Sequence, residues 1–226
     1  MMPFKDAFIA FPKLETERFI LRELHADDAK EYYAYFSDHE VTKYWGYEGP
    51  KNMDTAAKTF TRFQNAFNRK EMITWGIATK DEDKIIGTCI LNDFNKASMV
   101  NLSYNLSRDY WGKGIMTEVL ETIIPFAFHV LDMNRIQAKV MPENNASVKL
   151  LSKLGFVQEG LLRDYIFGEI MTDTLIFSIL KKDFMEKDRQ LKNLQMIFRR
   201  NPSMKSSVIT TLLYITLCSR TSSPLE

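Results

Sequence analysis

Cysteine, histidine and long apolar runs are all scarce in this chain, and each scarcity removes a class of function. Of 226 residues only two are cysteine, Cys89 and Cys218, far apart in the sequence. Cys89 lies in an apolar run and reads as a small buried hydrophobe rather than a nucleophile. The three histidines, His25, His39 and His129, show no metal-ligand spacing with one another or with cysteine, so no metal mechanism is expected. The longest late apolar run, residues 208–217, falls well short of the roughly 20 residues of a membrane helix. The opening Met1-Met2-Pro3-Phe4-Lys5 has neither the apolar core nor the cleavage site of a secretory signal. A cytoplasmic protein with no membrane contact is the expectation. A net charge of +1 supplies no field to recruit nucleic acid, although an anionic ligand needs only a few local charges.

The composition is otherwise that of a globular chain, 45% hydrophobic and 26% charged, long enough for one full core with sequence left over. Residues 16–24 set Phe19 and Leu21 on one face and Ile20 and Arg22 on the other, giving a first strand. Asp27 and Asp28 open a helical segment through Phe36. Within residues 54–69, Ala56, Phe60, Phe63 and Phe67 form one apolar helical stripe, which reads as core. Residues 72–79 alternate through Ile73, Trp75 and Ile77, then turn at Asp81-Glu82-Asp83 into an apolar strand at 84–91. A second turn, through Asn95 and Lys96, leads to a strand at 99–106.

The order then changes. A glycine-containing turn follows, then an apolar helix holding Val119, Leu120, Ile123, Ala127 and Phe128, which Pro125 should kink or loosen. In the strand at 135–140, Ile136, Ala138 and Val140 alternate with Gln137 and Lys139. Strand, helix, strand over this length predicts a parallel pair. A short helix at 145–154 stops at Gly155, and strands at 156–162 and 171–180, joined around Gly168, complete a domain ending near Phe184. Beyond it, residues 187–200 are polar and basic, and 203–226 are Ser/Thr-rich with no period. This stretch reads as an appended tail of uncertain order, and an out-of-frame terminus would give the same shift in composition.

In an open sheet, ligands bind beyond the carboxyl ends of parallel strands, where amides at a helix N-terminus face outward. Tyr110-Trp111-Gly112-Lys113-Gly114 occupies that position, followed by Ile115, Met116 and Thr117. The glycines permit close backbone approach and the helix adds its positive end, which suits an anion such as a pyrophosphate. Taken alone, Gly-x-Gly is equally a tight strand-to-helix turn. A dinucleotide fingerprint would need glycine where Thr117 stands, and a Walker loop would need Gly-Lys-Ser/Thr after four intervening residues. After the next parallel strand, Asn144-Asn145-Ala146-Ser147 opens another helix. Asn144 or Asn145 reads as its cap, but the strand–helix–strand unit sets this start beside the glycine turn. Two amide-rich helix starts at one sheet edge form a site.

Four blocks in this order give the chain a likeness to a known family. They are Leu14-Glu15-Thr16-Glu17-Arg18-Phe19-Ile20-Leu21-Arg22; Tyr110-Trp111-Gly112-Lys113-Gly114 with Thr117-Glu118; Glu143-Asn144 through Gly155-Phe156; and Glu159-Gly160 with Asp173. Over about residues 14–184 the chain resembles the GNAT superfamily of N-acetyltransferases, in particular the branch that acetylates the N-terminal alanine or serine of ribosomal proteins. The resemblance implies an α/β fold with a mixed sheet of about six to seven strands, splayed at the central parallel unit, with helices on both faces. Residues 1–184 would be the acyltransferase domain and 185–226 the tail. Acetyl-CoA would be the co-substrate, with no metal. Its pantetheine would pair with the backbone of Tyr104, Asn105 and Leu106 like an added strand. Its pyrophosphate would sit on the amides of Trp111, Gly112, Lys113, Gly114, Ile115, Met116 and Thr117, with Asn144 and Ser147 toward the pantetheine and sulfur.

The chain also departs from the family. Trp111 and Met116 stand at the ends of a loop written Q/R-x-x-G-x-G/A. Leu151 replaces the tyrosine acid that many members place before Gly-Phe, and Ile166 falls where the ribosomal-protein enzymes place a glutamate. Ser147 matches their serine and is the candidate for protonating the leaving thiolate. Glu159 and Tyr165 are further catalytic candidates, each also readable as a packing or rim residue. The base is unassigned.

A site without a strong base suits an α-amine. At pH 7 an α-amine is about one-tenth neutral, whereas a lysine side chain is neutral about once in 2,500. The expectation is therefore acetyl transfer to a primary amine such as a protein N-terminus, by an enzyme that could work as a homodimer. A polyamine or aminoglycoside acceptor is the alternative, and the aromatic cluster Tyr44-Trp45-Gly46-Tyr47 fits either. A non-catalytic acyl-CoA-binding module is the third reading.

Overall fold

The computed structural model describes residues 4–94 and 98–200, with side chains described from 6 to 190 within them. The turn at Asn95 and Lys96 and the stretches 203–226 and 208–217 lie outside the described residues. By their contacts, Met1–Leu180 form one compact unit and Lys181–Glu226 a second.

The first unit is built on one mixed sheet. Its strands are β1 (Leu14–Glu15), β2 (Phe19–Arg22), β3 (Met72–Thr79), β4 (Ile85–Asn92), β5 (Met99–Leu106), β6 (Arg135–Val140), β7 (Val157–Phe167) and β8 (Ile170–Leu180). They lie in the order β1-β2-β3-β4-β5-β6-β8-β7. Eight strands rather than six or seven result because Leu14 and Glu15 fold back on Leu21 and Ile20 as a strand of their own. Two residues of pairing leave no periodicity to read in the sequence.

Helices cover both faces, so β3 and β4 are buried almost throughout, as expected for strands covered on two sides. On one face lie α1 (Ala29–Phe36), α2 (His39–Thr42) and α3 (Met53–Asn68). The side chain of Asn52 caps α3 by accepting from the Thr55 amide at 2.9 Å. The predicted stripe then turns inward, and Phe60 packs edge-on against Tyr32 of α1, above Ala78 and Ile85. On the other face lies α4 (Ile115–His129), whose Phe126 meets Trp75 at 5.6 Å with perpendicular rings. Helix α4 runs through Pro125 without a break. Arg22 joins these layers at the start of the chain, with both guanidinium arms on Asp28 (2.8 and 2.9 Å) and Nε on Asp83 (2.7 Å).

Among the described strands one pair is parallel. β5 meets β6 only through Met99 and Arg135, Val100 and Ile136, and Asn101 and Gln137. Beyond Asn101, β5 stays paired with β4 up to Leu106, and β6 stays paired with β8 up to Val140. The sheet is therefore split between Leu102–Leu106 on one side and Ala138–Val140 on the other. Helix α5 (Asn145–Lys153) follows β6. The basic stretch expected as a tail of uncertain order forms helix α6 (Lys181–Arg200), starting ahead of the expected boundary near Phe184.

The Tyr44-Trp45-Gly46-Tyr47 segment docks on the β7–β8 turn. The Glu169 amide donates to the Gly46 carbonyl at 2.7 Å. Gly46 has φ +84, and a Cβ there would lie 2.4 Å from the Phe167 carbonyl oxygen. Gly46→Ala is expected to destabilise the fold by more than about 1–2 kcal/mol, since the left-handed backbone alone costs that much for an L-residue. Equilibrium denaturant unfolding of the two proteins checks it.

Candidate active site

The split opens a cleft of about 680 Å³. Its floor is the free edge of β5. The Ser107 amide donates to Ile86 of β4 at 2.7 Å, so by alternation the backbone groups of Tyr104 and Leu106 face the open side. The indole Nε1 of Trp111 donates to the Leu106 carbonyl at 2.8 Å, folding the glycine turn back over the end of the strand. Trp111 remains 46% exposed. The Asn105 side chain turns away from the cleft, accepting from the Thr88 amide (3.1 Å) and donating to the Thr88 hydroxyl (2.8 Å).

One wall is the start of α4. Gly112 and Gly114 have φ +73 and +72, and a Cβ at either would meet nothing within 4 Å. Both glycines are thus required by backbone conformation and leave open space. Gly114 is the N-cap of α4 and supplies no side chain to its first amides. Those of Ile115, Met116 and Thr117 are left for an external acceptor. The opposite wall is the start of α5. Asn144 is its cap, accepting from the Ser147 amide at 3.1 Å. Ser147, one turn in, places its Oγ 2.6 Å from the Tyr104 hydroxyl. Burial holds the Tyr104 phenol above its ordinary pKa of 10, an effect that its bond to Ser147 opposes. It stays protonated at physiological pH.

The cleft thus brings together Tyr104, Asn105, Leu106, Trp111, Gly112, Lys113, Gly114, Ile115, Met116, Thr117, Asn144 and Ser147. Glu159 and Tyr165 do not line it. Glu159 forms a bidentate pair with Arg135, at 2.8 Å from Nη1 to Oε1 and with a second contact from Nη2 to Oε2, and accepts from Ser178 at 2.6 Å. Arg135 first, then Ser178, holds this carboxyl down to about 2, so it is a structural anion. The Tyr165 hydroxyl accepts from Lys139 Nζ at 2.6 Å, and the ammonium stands 4.7 Å from the ring centroid. Ile166, where a glutamate would be wanted, is 66% exposed. Leu151, where a tyrosine would be, is fully buried.

Sequence reasoning missed other lining residues. Glu40, Val41 and Lys43 reach the cleft from α2 and the residue after it, beside Tyr44 and Trp45 of the aromatic cluster considered above. Helix α2 spans only four residues, too few to leave a periodic signal. Tyr104 was expected to contribute backbone alone. Its side chain comes inward because Cys89, its partner on β4, and Leu102, two residues before it, share the buried face.

The protein-family model for the acetyltransferase (GNAT) domain matches residues 18–157. The chain belongs to the GNAT family. It is an acetyl-CoA-dependent N-acetyltransferase, which sets aside a non-catalytic binding module. Among its relatives is an uncharacterised N-acetyltransferase of Bacillus subtilis (strain 168), YoaA. The two are 35% identical over 173 residues, covering 76% of this chain and 98% of the relative. The ribosomal protein uS5-alanine N-acetyltransferase of Escherichia coli (strain K12) is 28% identical over 160 residues, covering 68% of this chain and 82% of that one. In fold the acetyltransferase is similar to spermidine N-acetyltransferase from Vibrio cholerae, solved with CoA and spermine. The TM-score is 0.65 at 20% identity, covering 74% of this chain and 98% of that one.

The placement of Glu159 generates a pH prediction. Its carboxyl is lowered from 4.5 to about 2 in the folded protein, so its stabilising effect is complete above the unfolded value. That effect disappears as pH falls from 4.5 toward 2. Glu159→Gln should therefore be less stable than wild type near neutral pH, with the gap closing in that acid window, while the acetylation rate at neutral pH is unchanged. Denaturant unfolding as a function of pH checks the first part and a thiol-release assay the second.

Proposed function

We propose that the acceptor is the α-amine of a peptide or protein N-terminus, and that the charge of the cleft wall selects it. The described lining carries two carboxylates, Glu40 and Glu143, against four lysines, Lys43, Lys113, Lys149 and Lys153. A polycation meets a wall with no negative excess, whereas an α-amine brings at most one positive charge and is partly neutral at pH 7. The lysines suit an anionic donor instead.

Acetyl-CoA supplies the activated acetyl thioester. The residues fit it: the free edge of β5 offers Tyr104 and Leu106 backbone to pantetheine, and the uncapped amides of Ile115, Met116 and Thr117 offer donors to its pyrophosphate. Ser147 stands on the opposite wall with its hydroxyl held by Tyr104. The acceptor nitrogen attacks the thioester carbonyl as the free base; the C–N bond forms, the C–S bond breaks, and the proton shed by nitrogen passes to water. Ser147 donates a hydrogen bond to the departing thiolate, and Tyr104 holds the seryl hydroxyl in that orientation. Ser147, oriented by the β5 phenol, thus takes the donor role of the family tyrosine that Leu151 replaces.

Two measurements test this. Thiol release from acetyl-CoA should occur with peptides bearing a free N-terminus, and kcat/KM should rise with pH up to about 8, the pKa of an α-amine. Turnover of spermidine or an aminoglycoside without turnover of any peptide overturns the acceptor assignment. Ser147→Ala and Tyr104→Phe should each lower kcat by about 10- to 100-fold with unchanged CoA affinity. Because the two hydroxyls act as a unit, the double variant should be little worse than either single one.

A further inference from the structure

The segment Thr16-Glu17-Arg18 does not line the cleft, yet it reaches the glycine turn from behind. The Arg18 guanidinium donates through Nε to Glu118 Oε2 at 2.7 Å and through Nη2 to the Lys113 carbonyl at 3.3 Å. The Arg18 amide donates to Glu118 Oε1 at 2.9 Å. Thr16 fixes the approach, its hydroxyl accepting from the Phe19 amide at 2.9 Å. Residues a hundred positions apart thus hold one turn.

Two physical consequences follow from these bonds. In a trans peptide the carbonyl of one residue and the amide of the next point in opposite directions. Anchoring the Lys113 carbonyl on Arg18 therefore aims the Gly114 amide away from Arg18. That peptide joins Lys113 to Gly114, whose positive φ and missing Cβ leave its own side of the peptide free to rotate. The second consequence is electrostatic. Glu118 lies in the first turn of α4, where an unpaired carboxylate would repel an anion bound at the helix start. Arg18 neutralises it. Burial works against the Glu118 anion, but bonds from Thr16 and from the Arg18 amide and guanidinium outweigh it and keep the carboxyl below its ordinary pKa.

We propose that Arg18 is the positioning residue of the donor turn: it orients the Gly114 amide toward the pyrophosphate of acetyl-CoA and cancels the charge of Glu118. The proposal rests on the pyrophosphate binding at this turn. It predicts an effect confined to donors that carry a pyrophosphate. Arg18→Met should weaken CoA binding, measured by calorimetry, by about tenfold, the size expected for losing charge-assisted bonds. S-acetyl-pantetheine, which lacks the pyrophosphate, should be used by Arg18→Met as well as by wild type, and kcat with saturating acetyl-CoA should stay within about twofold. Glu118→Gln in the Arg18→Met background should recover part of the CoA affinity, because it removes the charge left unpaired.

Unchanged CoA affinity in folded Arg18→Met overturns the proposal, as does an equal loss on both donors. Should Arg18→Met fail to fold, Arg18→Lys provides the same comparison, because it keeps the charge but loses the fork that spans Glu118 and Lys113. Equal affinity of the wild type for CoA and pantetheine would instead overturn the pyrophosphate placement, and the proposal with it.

Discussion

The architecture of this acetyltransferase depends on β5 and β6 parting after three paired residues. A parallel pair inside a sheet would normally satisfy its backbone groups along its whole length. Here the strands diverge while each keeps its partner on the outer side, β4 for β5 and β8 for β6. The exposed edge of β5 is left with hydrogen-bonding capacity that an extended ligand can complete. Every other part of the cleft is arranged around that edge, with one helix start following each of the two parting strands.

The two helix starts are not equivalent in their capping. Helix α5 is capped by its own Asn144, which occupies the Ser147 amide and leaves the seryl hydroxyl free to meet Tyr104. Helix α4 begins at a left-handed glycine with no capping side chain, so its amides remain available for an anion. A capping side chain is missing at one helix and present at the other, so one start keeps its amides open and the other holds a hydroxyl against Tyr104. The glycines that open the α4 start also leave it conformationally loose, and the contacts of Arg18 with Lys113 and Glu118 counter that freedom from the far side.

Much of this arrangement was legible residue by residue. The apolar alternation of β3 and β6, the phenylalanine stripe of α3, the Asn144 cap and the Gly112–Gly114 turn each depend on neighbours within a few positions, where periodicity and dihedral preference act. Shorter elements were not legible. β1 and α2 span two and four residues, less than the window that any period requires. Trp111 looked like a departure from the family loop, and the structure gives it a partner in the Leu106 carbonyl, five residues back. Glu159 and Tyr165 looked reactive because acidic and phenolic groups often are, but Arg135 and Lys139 on the adjoining part of the sheet already engage them.

The sequence by itself determined the fold class, the longer strands and helices and the family to which the chain belongs. These follow from local backbone preferences and from motifs whose residues are neighbours in the chain. Only the tertiary structure decided which hydroxyl meets Ser147, which carboxylates face the cleft and which arginine holds the glycine turn. Such pairings join residues tens to a hundred positions apart. They depend on strand register, on the parting of β5 from β6 and on the face each side chain takes, which no local pattern encodes.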